Sequence, residues 1–327
     1  MLSKHQKKRK TRKTKTKTHP ERCLSLFTAN AAGLKLKTQT LKNELNYSEC
    51  GIFTLQETHY RKKGKLSIEN WEIFDSIGSK ASGGSMLGAQ KALNPILVEE
   101  YNEEFELLVV EANINDLEVR IITGYGPQES WSLEDRFPFF QALEEEIAKA
   151  GFAGKSIIIS LDANSKLGSD NIPNDTHKQS PNGKLFAGII NRHALIVING
   201  LKGKSHGVIT RKRTTIDGEE KSTIDIVVVS SDLIEEVQSV TTDESKEHCL
   251  TSIIKTKKGV KVTQSDHNTI ITKFSMKWHM KNKSQKTNLF NLKNVEGQNK
   301  FLELTSKTGI LSNIFKDKNF DIEKATN

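Results

Sequence analysis

Apolar and polar positions along the chain sort into short runs with two periods. Cys23–Thr28, Gly51–Leu55 and Ile157–Leu161 are brief, nearly continuous apolar runs of the length that buried strands take. Residues 105–113 and 117–123 read as a pair of strands, with Asn115-Asp116 as the turn between them. Thr38–Leu45 and Leu185–Arg192 carry the helical spacing, and Ala194–Ile198 follows the second as a strand. Leu133–Ala150 is the longest amphipathic stretch: Phe137, Phe140, Leu143 and Ile147 share one predicted face, and Gly151 stops it. Asp217-Gly218 is a type I′ turn signal between Val208–Thr215 and Lys221–Val229, and Ile270–Phe274 makes a last strand. Gly83-Gly84 reads as a turn joining two strands. Strands outnumber helices, and hairpins occur beside strand–helix–strand units. That mixture predicts a layered α/β domain with two sheets instead of one doubly wound parallel sheet.

Charge divides the chain differently. The formal net charge is +9, yet nine of the 49 basic residues fall within positions 1–19, where there is no acid; the other 40 face 40 acidic residues. The body is neutral, and the basic excess belongs to a tail expected to be disordered over residues 1–21. That tail suits nuclear import, attraction to phosphate, or plain solubility. Regular patterning fades after about Lys277, so residues 22–279 are the expected folded domain and 280–327 a linker-like tail. No apolar run approaches the ~18 residues a membrane helix needs, and the lysine-rich start lacks the apolar stretch of a secretory signal. Three scattered cysteines fit neither a zinc site nor a disulfide framework. A nuclear or otherwise intracellular location is the expectation.

Candidate chemistry collects at strand ends. Asn30 follows the first apolar run, Glu57 the second and Tyr125 the strand ending at Thr123. Asp162 and Asn164 follow Ile157–Leu161, and Asp266-His267 precede the last strand. One such residue is ordinary turn material; their joint recurrence is what matters. Phosphodiester hydrolysis explains the types. A metal offsets charge on the phosphoryl group, and Mg2+ favours one or two carboxylates while keeping several waters, which suits Glu57. Asp162 suits activation of the attacking water, and His267 stabilisation of the non-bridging oxygens. Asp225 suits holding that imidazole in one orientation. Asn30 and Asn164 add hydrogen-bond donors without negative charge.

The ordered segments Thr28-Ala29-Asn30, Gln56-Glu57-Thr58-His59, Gly124-Tyr125-Gly126-Pro127, Leu161-Asp162-Ala163-Asn164, Ser222-Thr223-Ile224-Asp225 and Ser265-Asp266-His267 resemble the endonuclease/exonuclease/phosphatase superfamily. The resemblance spans roughly residues 22–279 and is greatest to the endonuclease module of non-LTR, long interspersed element-type retrotransposons. It implies a four-layer α/β sandwich of two mixed β-sheets flanked by helices. It implies Mg2+, with Mn2+ as a substitute, held by Glu57 with Asn30 and Asp266. It also implies Asp162, His267, Asp225, Tyr125 and Asn164 as catalytic residues, double-stranded DNA as substrate, and residues 280–327 as the start of a connection to a reverse transcriptase. Abasic-site repair, hydrolysis of a phosphoinositide-type headgroup, and a catalytically inactive DNA-binding relic remain as alternatives. Two departures stand out. Many relatives carry an acid two residues after the first asparagine, where this chain has Ala32; and the common aromatic after the Ser222–Asp225 motif is Ile226, a change expected to affect packing. Arg211-Lys212-Arg213, beside the Asp217-Gly218 turn, reads equally as a DNA-contacting hairpin or as a solvated charge run.

Overall fold

Alternation along the strands decides the layering, because successive side chains point to opposite faces. The computed structural model describes residues 21–78, 83–102, 105–256 and 259–279; the basic tail before Glu21 and the expected linker at 280–327 lie outside them. In chain order the elements are β1 (Glu21–Asn30), α1 (Thr38–Tyr47), β2 (Ile52–Gln56), β3 (Trp71–Ser76), β4 (Ser85–Gln90), β5 (Ile96–Tyr101), β6 (Glu106–Ile114), β7 (Leu117–Tyr125), α2 (Leu133–Phe152), β8 (Ser156–Asp162), α3 (Pro181–Arg192), β9 (Leu195–Val197), β10 (Ser205–His206), β11 (Arg211–Thr215), β12 (Gly218–Ser222), β13 (Asp225–Ser230), β14 (Val237–Thr242), β15 (Thr251–Thr256), β16 (Gly259–Gln264) and β17 (Ile270–His279). They form a seven-stranded sheet in the order β10-β14-β17-β1-β2-β4-β3 and a six-stranded sheet in the order β5-β6-β7-β8-β13-β9. Two further hairpins, β11–β12 and β15–β16, each make a two-stranded sheet.

Three apolar clusters separate four layers. Leu24, Leu26, Ile52 and Leu87 of the first sheet meet Val110, Ile121, Ile158 and Val227 of the second. On the outer face of the first sheet Phe27, Phe53 and Leu55 pack with Leu41 and Leu45 of α1. On the outer face of the second, Ile122, Ile159 and Val228 pack with Phe139, Leu143 and Ile147 of α2 and Phe186 and Ile190 of α3. The expected sandwich is therefore the observed one. Ile226 is fully buried in this outer cluster, so its departure from the common aromatic is one of packing. Among the described residues no helix is long and apolar enough to cross a membrane.

Two local expectations need correction. On α2 the buried stripe runs through Phe139, Phe140, Leu143, Glu146, Ile147 and Ala150, whereas Phe137 is 51% exposed. At about 100° per residue Phe137 lies about 120° around the helix from Leu143, off the edge of the stripe. Phe139 takes its place, meeting Phe105 and Phe140 edge-on at centroid distances of 5.9 and 5.3 Å. Phe139→Ala should accordingly cost about 3–5 kcal/mol of stability, and Phe137→Ala no more than about 0.5 kcal/mol, as read by urea denaturation.

The second correction concerns the turn at Asp217-Gly218. Thr215 pairs with Gly218, so Ile216 and Asp217 form the tip. Of Ile216, Asp217 and Gly218, only Gly218 has a positive φ, +127°. A type I′ turn needs positive φ at both central residues, and this tip has it at neither. Beyond Ser222 the chain leaves the hairpin: β13 pairs with β8 and β9 in the six-stranded sheet. Lys221–Val229 is thus two strands in two sheets, not one hairpin arm.

Candidate active site

The strand period carries polar side chains from the sheet interface out to one mouth. On β1, Leu24 and Leu26 face the second sheet, and two and four residues on come Thr28 and Asn30. On β8, Ile158 is followed in the same way by Ser160 and Asp162. The two series meet: Thr28 Oγ1 lies 2.7 Å from Ser160 Oγ, and Asn30 Nδ2 donates to Asp162 Oδ2 at 2.9 Å. Thr54 of β2 joins the hydroxyl cluster at 2.8 Å from Ser160 Oγ, and Gln56 Nε2 donates to Thr123 Oγ1 on β7 at 3.1 Å. Asp225 opens β13 directly opposite Asp162. A polar seam between two apolar sheets thus ends in a cluster of ionisable groups.

His267 enters from the loop before β17. An isolated bridge to Arg211 and the bond from Asn268 N to Thr210 O hold that loop against β11. His267 Nδ1 lies 2.8 and 3.0 Å from the two Asp225 oxygens and 3.9 Å from Asp162 Oδ2. The side chains of Asp162, Asp225 and His267 are 1%, 2% and 7% exposed. These three present ligand atoms within 4.8 Å of one another. We do not read them as a metal site: Asp225 already occupies the Nδ1 that would ligate, at hydrogen-bond length on both oxygens. The arrangement is a steered imidazole beside a third carboxylate.

Their ionisation follows from that crowding. Burial, then the nearby Asp225 charge, push Asp162 up to about 7, against His267 and the Asn30 bond. For His267 burial favours the neutral ring, but Asp225 and Asp162 outweigh it and raise the imidazolium to about 9. Burial also raises Tyr125, helped by Asp162 and Glu57 and opposed by hydrogen bonds with Gln128 and Asn164. Tyr125 is therefore a phenol throughout the neutral range.

Glu57, Tyr125, Asn164, Asp266 and His267 line one cleft of about 850 Å³. Glu57 follows β2 with φ +49°, and Asn164 follows β8 with φ +43°. Such left-handed conformations are costly outside glycine and concentrate at functional sites. The carboxylate of Glu57 is partly open to the cleft, with Oε2 3.6 Å from His59 Nε2. Asn164 donates through Nδ2 to Gly126 O at 2.9 Å, while its backbone N–H donates to Asp162 Oδ1 at 3.3 Å. All eight residues singled out in the sequence meet at this mouth or directly behind it.

Several partners were not foreseen. Asp266 Oδ2 accepts from Arg211 Nε at 2.9 Å, and Oδ1 lies 3.9 Å from His267 Nε2. Burial works against the Asp266 carboxylate, but His267 and Arg211 hold it below the usual range. Glu106, opposite Tyr125, is buried and accepts from Gly84 N at 2.7 Å; Gly84 O and Gly83 O in turn accept from Thr58 N and His59 N. Gly83-Gly84, expected as a turn, lies outside any turn among the described residues; it leads into β4 and braces the loop that presents Glu57. At the other departure, Ala32 has φ +40° and its N–H donates to Asn30 Oδ1 at 3.0 Å. The buried Lys37 ammonium donates to Ala31 O at 2.5 Å and Ala32 O at 3.2 Å. At this position, where the resemblance leads one to expect an acid, the chain has a loop pinned by a lysine. His177 also lines the cleft, with its Nδ1 2.6 Å from Asp175 Oδ1.

No protein-family model matches the sequence, and no curated protein does. Solved structures do match. The endonuclease domain of TRAS1, a telomere-specific non-LTR retrotransposon, is 18% identical, covering 77% of this chain and 98% of its own, with a TM-score of 0.54. An AP endonuclease from Leishmania major is 16% identical over 78% of this chain and 88% of its own, with a TM-score of 0.59. An endonuclease/exonuclease/phosphatase family protein from Bacteroides thetaiotaomicron is 12% identical over 79% and 96%, with a TM-score of 0.54. The chain has the endonuclease/exonuclease/phosphatase fold.

Proposed function

We propose that this chain, built on that fold, is a divalent-metal-dependent endonuclease that nicks one strand of duplex DNA by phosphodiester hydrolysis. One observation carries the reading: a buried aspartate fixed by Asn30 and a histidine gripped by Asp225 stand together behind a cleft that Glu57 and Tyr125 line. The retrotransposon endonuclease among the structural neighbours favours DNA nicking over the other reactions of this fold.

The residues take these parts. Asp162, with Asn30 on one oxygen and the Asn164 amide on the other, accepts the proton of the attacking water. His267 has Nδ1 occupied by Asp225, which leaves Nε2 to donate to a non-bridging phosphate oxygen as charge builds there. The Tyr125 phenol adds a neutral donor. Glu57 would hold the metal, with Asn30 and Asp266 beside it. The donor set fits Mg2+, since Glu57 and Asp266 offer carboxylate oxygens at an open cleft where the ion keeps most of its waters. When bound, the ion supplies Lewis acidity to the phosphoryl group. Asp266 also carries Arg211, so its share in the metal is the smaller one.

The cleft is not a uniformly basic groove. Arg211, Arg213, Lys166 and Lys221 share it with Glu129, Glu219 and Glu220. On the β11–β12 hairpin, Lys212 and Lys221 are both tied to Glu219. Arg213 and the fully exposed tip residue Ile216 remain to meet a groove of DNA.

The test is relaxation of supercoiled plasmid in Mg2+, in Mn2+ and in EDTA, beside an abasic duplex and a phosphoinositide in vesicles. We expect nicking of the undamaged duplex in either metal and none in EDTA, with Glu57→Gln at least about 100-fold slower. Preference for the abasic duplex points to a repair enzyme, and turnover of the lipid to a headgroup phosphatase. No turnover of any of these substrates by the wild type in either metal marks an inactive relic, and nicking by Glu57→Gln at the wild-type rate overturns the metal role of Glu57.

A further inference from the structure

The cleft holds a second carboxylate–imidazole pair, apart from the one that steers His267. Asp175 and His177 lie on the loop between β8 and α3, and His177 Nδ1 is 2.6 Å from Asp175 Oδ1. The Asp175 side chain is 0% exposed and its Oδ2 meets no hydrogen-bond partner, whereas His177 lines the cleft. A buried carboxylate with one oxygen unmet works against stability, and such a group calls for an explanation in function. Other bonds brace the loop. Across its base Lys166 N donates to Ser180 Oγ at 3.1 Å, and Ser180 N donates to Lys166 O at 3.0 Å. Leu167 and Ile172 are buried in the cluster under α2 and α3. A Cβ on Gly168 would stand 3.2 Å from His177 O, so residues 166–168 run beside 177–180. That brings Lys166, which also lines the cleft, alongside His177. Arg211 and Lys221 of the same cleft are tied to Asp266 and Glu219, while Lys166 forms no ion pair among the described residues.

We infer that His177 and Lys166 form a second phosphate subsite, which takes a backbone phosphate of the nicked strand next to the scissile one. The inference rests on the proposed function and adds to it how the strand is held. With Nδ1 on Asp175, the ring offers Nε2 to a ligand. An imidazolium donates from both nitrogens, so a ring between Asp175 and a phosphate bridges two anions through charge-assisted bonds. Asp175 holds this ring as Asp225 holds His267. Lys166 adds a point charge. Successive phosphates of one strand advance about 3.4 Å along the helix axis, so a cleft of about 850 Å³, roughly 10 Å across, takes the scissile phosphate and one or two neighbours. Contacts of this kind set the register of a protein on the duplex without reading bases. A metal ion fits the pair worse: among the described residues neither Asp175 nor His177 belongs to a cluster of three metal-ligating side chains.

The test uses the full chain in EDTA, where duplex is bound but not cut, and a duplex with one mapped nick site. Each phosphate of the nicked strand is replaced in turn by an uncharged methylphosphonate, and binding is measured. We expect one position beside the scissile phosphate at which wild type binds about tenfold more weakly. His177→Ala and Lys166→Ala should each bind the unmodified duplex about tenfold more weakly. Both should lose most of the sensitivity at that one position and keep it at the others. His177→Gln, which retains an N–H donor, should restore part of it. His177→Ala leaves Asp175 buried without its partner, so Lys166→Ala, at a half-buried position, decides the matter if the first variant does not fold. Folded variants that keep the wild-type profile, beside a wild type that nicks DNA, overturn the subsite alone. So does a loss spread evenly over every phosphate, which would be general damage. A wild type that neither binds nor nicks duplex overturns the subsite together with the function on which it rests.

Discussion

Asp162→Asn should slow nicking by about 10³–10⁴-fold while leaving the protein folded and DNA binding within a few-fold of wild type. The size is that of a lost general base. Asparagine matches the carboxylate in shape, and one of its faces still accepts from Asn30 Nδ2. It cannot take a proton from water. The substitution should also be mild for stability, because it removes one of two carboxylates crowded around a single imidazole. A urea midpoint equal to or above that of wild type beside a collapse in kcat is the expected pairing; a collapse of both would make Asp162 a structural residue.

The same residue shapes the pH profile. Burial and Asp225 raise the Asp162 carboxyl, so in the metal-free protein it is half-protonated near pH 7. The base is active only when ionised. Activity should therefore fall as pH drops through that region, by tenfold per unit on the steep limb. A divalent cation near Glu57 favours the ionised form, so saturating Mg2+ should move the limb to lower pH. The residual activity of Asp162→Asn should lack the limb.

Much of this site is legible in the sequence because β-structure translates spacing into direction. Asn30 and Asp162 each lie two residues beyond an interior hydroxyl, Thr28 and Ser160, and that period alone turns both toward the gap between the sheets. The hydroxyls themselves look like ordinary strand residues. The layers were legible for a similar reason: runs such as Ile157–Leu161 must be covered on both faces. What stayed hidden depends on contacts distant in sequence or against the usual habit of a residue type. Arg211 reads as part of a surface charge run, and only the fold brings Asp266, 55 positions later, to its guanidinium. Lysines seldom bury, yet Lys37 does, because the left-handed turn at Ala32 offers two carbonyls to its ammonium. Glu106 reads as a polar strand start, and its role depends on the Gly84 amide arriving from another sheet. The β15–β16 hairpin escaped for want of contrast, since lysine and threonine interrupt its apolar residues without a clear period.

Asp225→Asn and His267→Ala should each lower kcat by about 10²–10⁴-fold, and combining them should cost little beyond the slower single variant. His267 Nδ1 has both Asp225 oxygens within 3.0 Å. Asp225 therefore acts through the ring: it fixes the tautomer, aims Nε2 at the cleft and sustains the positive charge. An asparagine there can present its amide to the ring and select the wrong tautomer, the known route to losses of about 10⁴ in hydrolytic triads. Once the imidazole is gone, Asp225 has nothing left to steer, so the two losses are not additive. The pH profile separates this account from simple damage. Burial favours neutral His267, while Asp225 and Asp162 together lift it to about 9. The alkaline limb of wild type should lie near that value, and Asp225→Asn should shift it to lower pH, since burial is then opposed mainly by Asp162. His267→Ala leaves two carboxylates buried without their cation, which costs about 3–5 kcal/mol, so its kinetics belong at a temperature where circular dichroism shows it folded. Fully additive losses, or an alkaline limb that stays put in Asp225→Asn, would mean that the pair does not work as a unit.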